Sequence, residues 1–153
     1  MPNRFLVVAA ALTVVGCGGR ARPAAVAPTG GSYTTQVNTY LAREAGVARN
    51  NGFSRNVAGP VHGTLSNLAT GTHEMEVVAG NRYILFGACD NDCTDLDLKI
   101  YNPDGTVLAQ DIATDDIPTL VFQPSTSARY RVEVIMAHCN RSPCFYGVQL
   151  MAK

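Results

Sequence analysis

From Val61 onward the chain alternates apolar and polar residues with a period of two, and this constrains its fold more than any other feature. Leu96, Leu98 and Ile100 alternate with Asp95, Asp97 and Lys99, and Tyr130, Val132, Val134 and Met136 alternate with Arg129, Arg131 and Glu133. Tyr146, Val148 and Leu150 alternate with Gly147 and Gln149. Successive side chains of a strand point to opposite faces, so each run predicts a strand with one buried face. Arg82 to Ala88 is apolar on both faces and predicts a central strand. Weaker runs at Val61–Asn67, Thr72–Val78, Val107–Asp111 and Thr119–Phe122 bring the total to about eight strands. Between them lie turn residues such as Ala79-Gly80-Asn81 and Asn102-Pro103-Asp104-Gly105. In the second of these, Pro fixes one φ and Gly takes the positive-φ position. Short strands separated by turns about every dozen residues predict a mainly β fold, an antiparallel, jelly-roll-like β-sandwich.

Ahead of the strands the period is helical. Tyr33, Val37, Tyr40, Leu41 and Ala48 recur at three- and four-residue spacing, with Thr34, Asn38, Arg43 and Arg49 on the other side. Ser32 is placed to cap the start, and Gly52 stands where a helix end takes left-handed geometry. One amphipathic helix over Tyr33–Asn51 is predicted, packed on the sandwich, with Gly46 an interior cost of about 1 kcal/mol relative to Ala.

The first residues have a third character. Arg4 precedes an uncharged, mostly apolar run of 11 residues, Phe5 to Val15. A helical span of a bilayer needs about 20 residues, so the run reads as an export signal. It ends in Val14-Val15-Gly16-Cys17-Gly18, which resembles the lipobox of bacterial lipoproteins, with Val where Leu is commoner. The resemblance implies cleavage before Cys17 and acylation of Cys17. Gly18, rather than Asp, resembles the pattern sorted to the outer membrane. An A-x-A site at Ala25-Val26-Ala27 is the rival, but it lies beyond the apolar run, behind Arg20 and Arg22. Acyl chains contribute about 0.8 kcal/mol per buried methylene, which makes several of them a durable anchor. Gly18 to Gly31 is rich in Gly, Ala and Pro and reads as a tether with a reach of roughly 20 Å. The expected organisation is a signal peptide at 1–16, acylated Cys and tether at 17–32, a helix region at 33–56 and the sandwich at 57–153.

The chain has 153 residues, of which 46% are hydrophobic, enough for one core. Its formal net charge is zero and it has no basic run, so it lacks the electrostatic footprint of a nucleic-acid partner. Five cysteines are present, and setting Cys17 aside leaves Cys89, Cys93, Cys139 and Cys144, an even number for an oxidising compartment. Their spacing is not that of the usual zinc knuckle, so disulfides are expected. Three connectivities are open. The local pairs Cys89–Cys93 and Cys139–Cys144 are favoured because each would clasp one loop between adjacent strand ends. Each would contribute about 2 kcal/mol, against about 4 for a long-range bridge.

If neighbouring strands run antiparallel, the loops after the third, fifth and seventh strands share one end, which gathers all four cysteines there. Eight of the twelve acidic residues lie between Asp90 and Asp116. Asp90, Asp92, Asp95, Asp115 and Asp116 could supply the oxygen ligands of an irregular calcium site, the one cofactor considered; a solvated, Asp-rich turn is the plainer reading. An EF-hand is rejected, because its sixth position would be Asp95 rather than Gly and its twelfth Tyr101 rather than Glu.

The strand-and-turn order also resembles a known family. Gly63-Thr64-Leu65, Glu76 to Tyr83, Asp95 to Gly105 and Ala128 to Val134 look like the bacterial pre-peptidase C-terminal domain, with the resemblance covering Val61 to Met151. It implies a jelly-roll-like accessory domain of the kind that flanks secreted proteases. The four cysteines are not a general feature of that family. Motifs for catalysis are missing. His73-Glu74 opens like a zincin helix but has Val77 at the fifth position, and no G-x-S-x-G elbow, P-loop or dinucleotide fingerprint occurs. The expected role is therefore a non-catalytic envelope module, held to a membrane by its lipid and binding a protein or glycan; the alternatives are a calcium- or glycan-binding module that uses the acidic loops at the cysteine pole and, third, a small hydrolase. Sugar binding usually uses exposed aromatics; the chain has no Trp, and of its six Tyr only Tyr101, beside a turn, and Tyr33, at the start of the helix, are candidates for exposure.

Overall fold

The computed structural model describes residues 30–153, so the expected signal peptide, Cys17 and most of the tether lie outside the described residues. One helix, α1 (Gly30–Asn50), precedes eight strands. These are β1 (Arg55–Leu65), β2 (Thr70–Val77), β3 (Tyr83–Cys89), β4 (Cys93–Tyr101), β5 (Val107–Asp111), β6 (Thr119–Phe122), β7 (Ala128–Cys139) and β8 (Cys144–Ala152). They form two four-stranded sheets, β1-β8-β3-β6 (sheet A) and β2-β7-β4-β5 (sheet B), and every pairing is antiparallel. The expected sandwich is the observed fold.

The main core lies between the sheets. Leu96, Leu98 and Ile100 of β4 and Tyr130, Val132, Val134 and Met136 of β7 face Leu85 of β3 and Val148 and Leu150 of β8, all buried. A second core forms where α1 covers the outer face of sheet A. Val37, Leu41, Ala45 and Ala48 recur every three or four residues and bury against Phe53, Ile84, Phe86, Ala88 and Met151. Full burial of a Leu or Val of this kind contributes about 1.5–3 kcal/mol.

Three expectations need correction. The helix starts at Gly30, which puts Ser32 inside its first turn rather than at its cap. Gly52 does take the left-handed conformation, at φ 87°, and its N–H closes on the Arg49 carbonyl. The first strand begins at Arg55 rather than Val61, because two register shifts near Gly59-Pro60 break the alternation that would have revealed it. Finally, β8 is buried on both faces rather than one, since α1 lies over its outward side. Gly147 is what permits this: a Cβ there would come within 2.7 Å of Leu41.

Candidate functional site at the disulfide pole

The β3–β4, β5–β6 and β7–β8 loops and the β1–β2 turn meet at one end of the sandwich. Both disulfides are there, Cys89–Cys93 between β3 and β4 and Cys139–Cys144 between β7 and β8. Cys93 and Cys139 also face each other as register partners, so the two bridges lie side by side. Disulfides of this kind belong to an oxidising, extracytoplasmic compartment.

Asp90 is the organising residue of this pole. It is only 1% exposed, and its carboxylate accepts N–H groups from Phe145 at 2.8 Å and Asp92 at 3.1 Å. Its backbone N–H donates to the Phe145 carbonyl, and its carbonyl accepts the Cys93 N–H, closing the turn between the first two cysteines. A buried carboxylate is tolerated because backbone donors satisfy it. The next loop is tied in by the Asn140 N–H on the Asp92 carbonyl at 2.7 Å, and by Asn67, whose Oδ1 accepts the Cys139 N–H at 2.8 Å.

Helix α1 closes on the same pole. The Tyr33 ring stacks on Phe145 at 5.1 Å between centroids, and its hydroxyl donates to Asp92 Oδ2 at 3.0 Å. Tyr40 donates to Asn91 Oδ1 at 2.6 Å, and Gln36 Oε1 accepts the Asn91 N–H. Desolvation, the hydrogen bond to Asp92 and the negative charges of Asp92 and Asp90 push the Tyr33 phenol above its ordinary range. Tyr33 is thus a docking residue of the helix. Tyr101, the other tyrosine considered for sugar binding, lies under the Arg131 guanidinium at 3.6 Å and donates to Glu133.

Asp90, Asp92, Asp95, Asp115 and Asp116 are the residues considered as ligands of an irregular calcium site, beside the plainer reading of a solvated, Asp-rich turn. Among the described residues no group of three or more His, Cys, Asp or Glu side chains is placed to hold a metal ion. Asp90 and Asp92 are engaged as above, and Asp115 Oδ1 accepts the Ile117 N–H at 3.0 Å. Asp95 has one buried carboxylate oxygen without a hydrogen-bond partner. Burial, followed by the charges of Asp95, Asp111 and Asp115, raises the pKa of nearby Asp97, with Lys99 opposing.

The three histidines stay apart. His62 pairs with Asn38 at 2.8 Å, His73 with the Tyr146 hydroxyl at 2.9 Å, and His138 with Asn140 at 3.2 Å. Burial lowers the His73 pKa and raises that of Tyr146. The Tyr146 hydroxyl sits over Gly63 and Gly71, where a Cβ would approach it to 2.5 and 3.0 Å, so this pair bridges the two sheets. The segment beginning His73-Glu74 is strand β2, not a zincin helix. Sequence reasoning missed the structural role of Asp90, Gln36 and Asn67. Only the Asp-Asn-Asp run between two cysteines signalled a side-chain-closed turn.

The architecture defines an antiparallel β-sandwich with a helix on one sheet, and it has counterparts among solved structures. It is similar to the pre-peptidase C-terminal domain of a collagenase from Bacillus anthracis, with a TM-score of 0.48 and 12% identity over 59% of this chain and 85% of that one. It is also similar to PliG of Aeromonas hydrophila, a periplasmic inhibitor of g-type lysozyme, with a TM-score of 0.47 and 10% identity over 61% and 83% of the two chains. The carbohydrate-binding module CBM36, solved with calcium and xylotriose, gives a TM-score of 0.33 and 13% identity over 65% and 92%. No family model and no curated protein matches the sequence. Among the described residues no helix is long and apolar enough to cross a membrane.

Proposed function

We propose that this chain is an exported, lipid-anchored, non-catalytic interaction module of the bacterial envelope. The observation that carries the reading is the pairing of Cys89 with Cys93 and Cys139 with Cys144, which leaves Cys17, within the lipobox-like run, as the odd cysteine. Paired thiols fit an oxidising compartment, and an acylated Cys17 would hold the domain there through the 18–31 tether. The non-catalytic part rests on how the polar side chains are used. Asp90, Asp92, Tyr33 and Tyr40 clasp the helix and loops together, and each histidine is bound to a separate partner.

The test is metabolic labelling with palmitate in the native host. Label is expected in the full chain and absent from Cys17→Ala, which should accumulate as an unprocessed precursor. An unlabelled wild-type chain cleaved after Ala27 would overturn the anchor.

A further inference from the structure

The two ends of the sandwich differ in charge. Around the disulfide pole lie Asp90, Asp92, Asp95, Asp115 and Asp116. At the other end of sheet A the cations gather. Arg49 is in the last turn of α1, Arg55 opens β1, Arg82 precedes β3 and Lys153 follows β8. These segments converge on Ala152, which pairs with Arg55 on one side and Tyr83 on the other, and the Lys153 N–H donates to the Arg82 carbonyl at 2.9 Å. Among the described residues none of the four makes an ion pair, and neither do Lys99 and Arg141, whereas Arg43, Arg129 and Arg131 all do; what sets this end apart is that four such cations lie together.

An apolar groove of about 460 Å³ opens beside these cations, between the C-terminal half of α1 and strand β6. Phe53 and Ile84 form its floor and are buried, while Val47 and Val121 on its walls remain 49% and 45% exposed. Val121 pairs with Ile84 across β3 and β6, so it continues the apolar surface that α1 covers and leaves it bare at the sheet margin. Arg82 and Lys153 stand at the edge of the groove.

We propose that this groove docks an acidic, apolar peptide segment of a protein partner, with its apolar residues over Val47 and Val121 and its carboxylates on Arg82 and Lys153. This rests on the reading of the chain as an interaction module and names the surface it would use. Charge complementarity selects the occupant: unpaired cations beside an uncovered apolar floor favour a ligand carrying both features. Shape selects a peptide over a lipid surface: Phe53 and Ile84, the apolar floor, are buried at the base of a concave groove that inserted side chains enter and a flat bilayer face does not.

The probe is a synthetic peptide alternating Asp and Val, titrated into the ¹⁵N-labelled processed chain and followed by amide chemical shifts. Saturable shifts confined to α1 after Ala45, to β6 and to Arg82 and Lys153 are expected. The double variant Arg82→Glu/Lys153→Glu should weaken binding about tenfold or more with unchanged melting temperature, and Val121→Asn should weaken it several-fold. Arg141→Glu, at the opposite pole, should leave it unchanged. No saturable shift at millimolar peptide, equal binding of a Lys-Val peptide, or binding only to phosphatidylglycerol vesicles would each overturn the groove assignment. None of these outcomes bears on palmitate labelling, so failure here is distinguishable from failure of the module reading.

Discussion

The disulfide pole and the opposite end of sheet A use charge in opposite ways. At the disulfide pole, Asp90 accepts two backbone N–H groups, Asp92 receives the Tyr33 hydroxyl and the loops are sewn shut by two bridges. At the far end, Arg82 and Lys153 border an open groove and make no ion pair among the described residues. A dense cluster of carboxylates is therefore not by itself a binding site, because folding has already engaged several of them. The sparser cations are the groups left with unspent charge.

The sharpest way to break this comparison is Asp90→Ala. It would leave the Phe145 and Asp92 N–H groups without their acceptor, and a loss of about 3 kcal/mol in urea unfolding is expected. A loss below half of that would mean that the carboxylate is not the organiser. Removing either disulfide by paired Ala substitution is expected to cost about 2 kcal/mol, by loop-closure entropy. Tyr33→Phe keeps the stacking on Phe145 but deletes the hydroxyl donor to Asp92, so a smaller loss than for either bridge is expected, with faster amide exchange in the first turns of α1. Arg82→Ala, at the other end, should change stability by no more than about 0.5 kcal/mol.

A pH series sharpens the picture from another side. Burial holds the His73 pKa below its ordinary value, so the folded state binds that proton less readily than the unfolded chain. The stability this gives is present above the usual histidine range and is lost as pH falls through it. His73→Gln should flatten the melting curve across that window. For Asp97 the sign reverses. Its raised pKa means that ionisation works against the fold, so Asp97→Asn should give a small gain in melting temperature at neutral pH that fades in acid.

Much of this was legible in the residues. The alternation in β4 and β7 revealed the sandwich because each strand buries one face only, and the helical spacing of Val37, Leu41 and Ala48 revealed the face α1 presents. Local pairing of the cysteines followed from their places at adjacent strand ends. What stayed hidden depended on partners distant in sequence. Residues 55–60 lack clean alternation because β1 is an irregular edge strand. The double burial of β8 depends on a helix about a hundred residues earlier, and Gly147 offered no periodic signal of it. Asp90 resembled its neighbouring aspartates, and only the approach of Phe145 from β8 separates it from them.

Non-reducing peptide mapping of protein purified from its native envelope tests the covalent frame on which this account stands. Two bridged fragments are expected, one joining Cys89 to Cys93 and the other Cys139 to Cys144. Because Cys93 and Cys139 sit opposite each other in the sheet, a fragment joining those two, or four free thiols, would contradict the clasp and the compartment inferred from it.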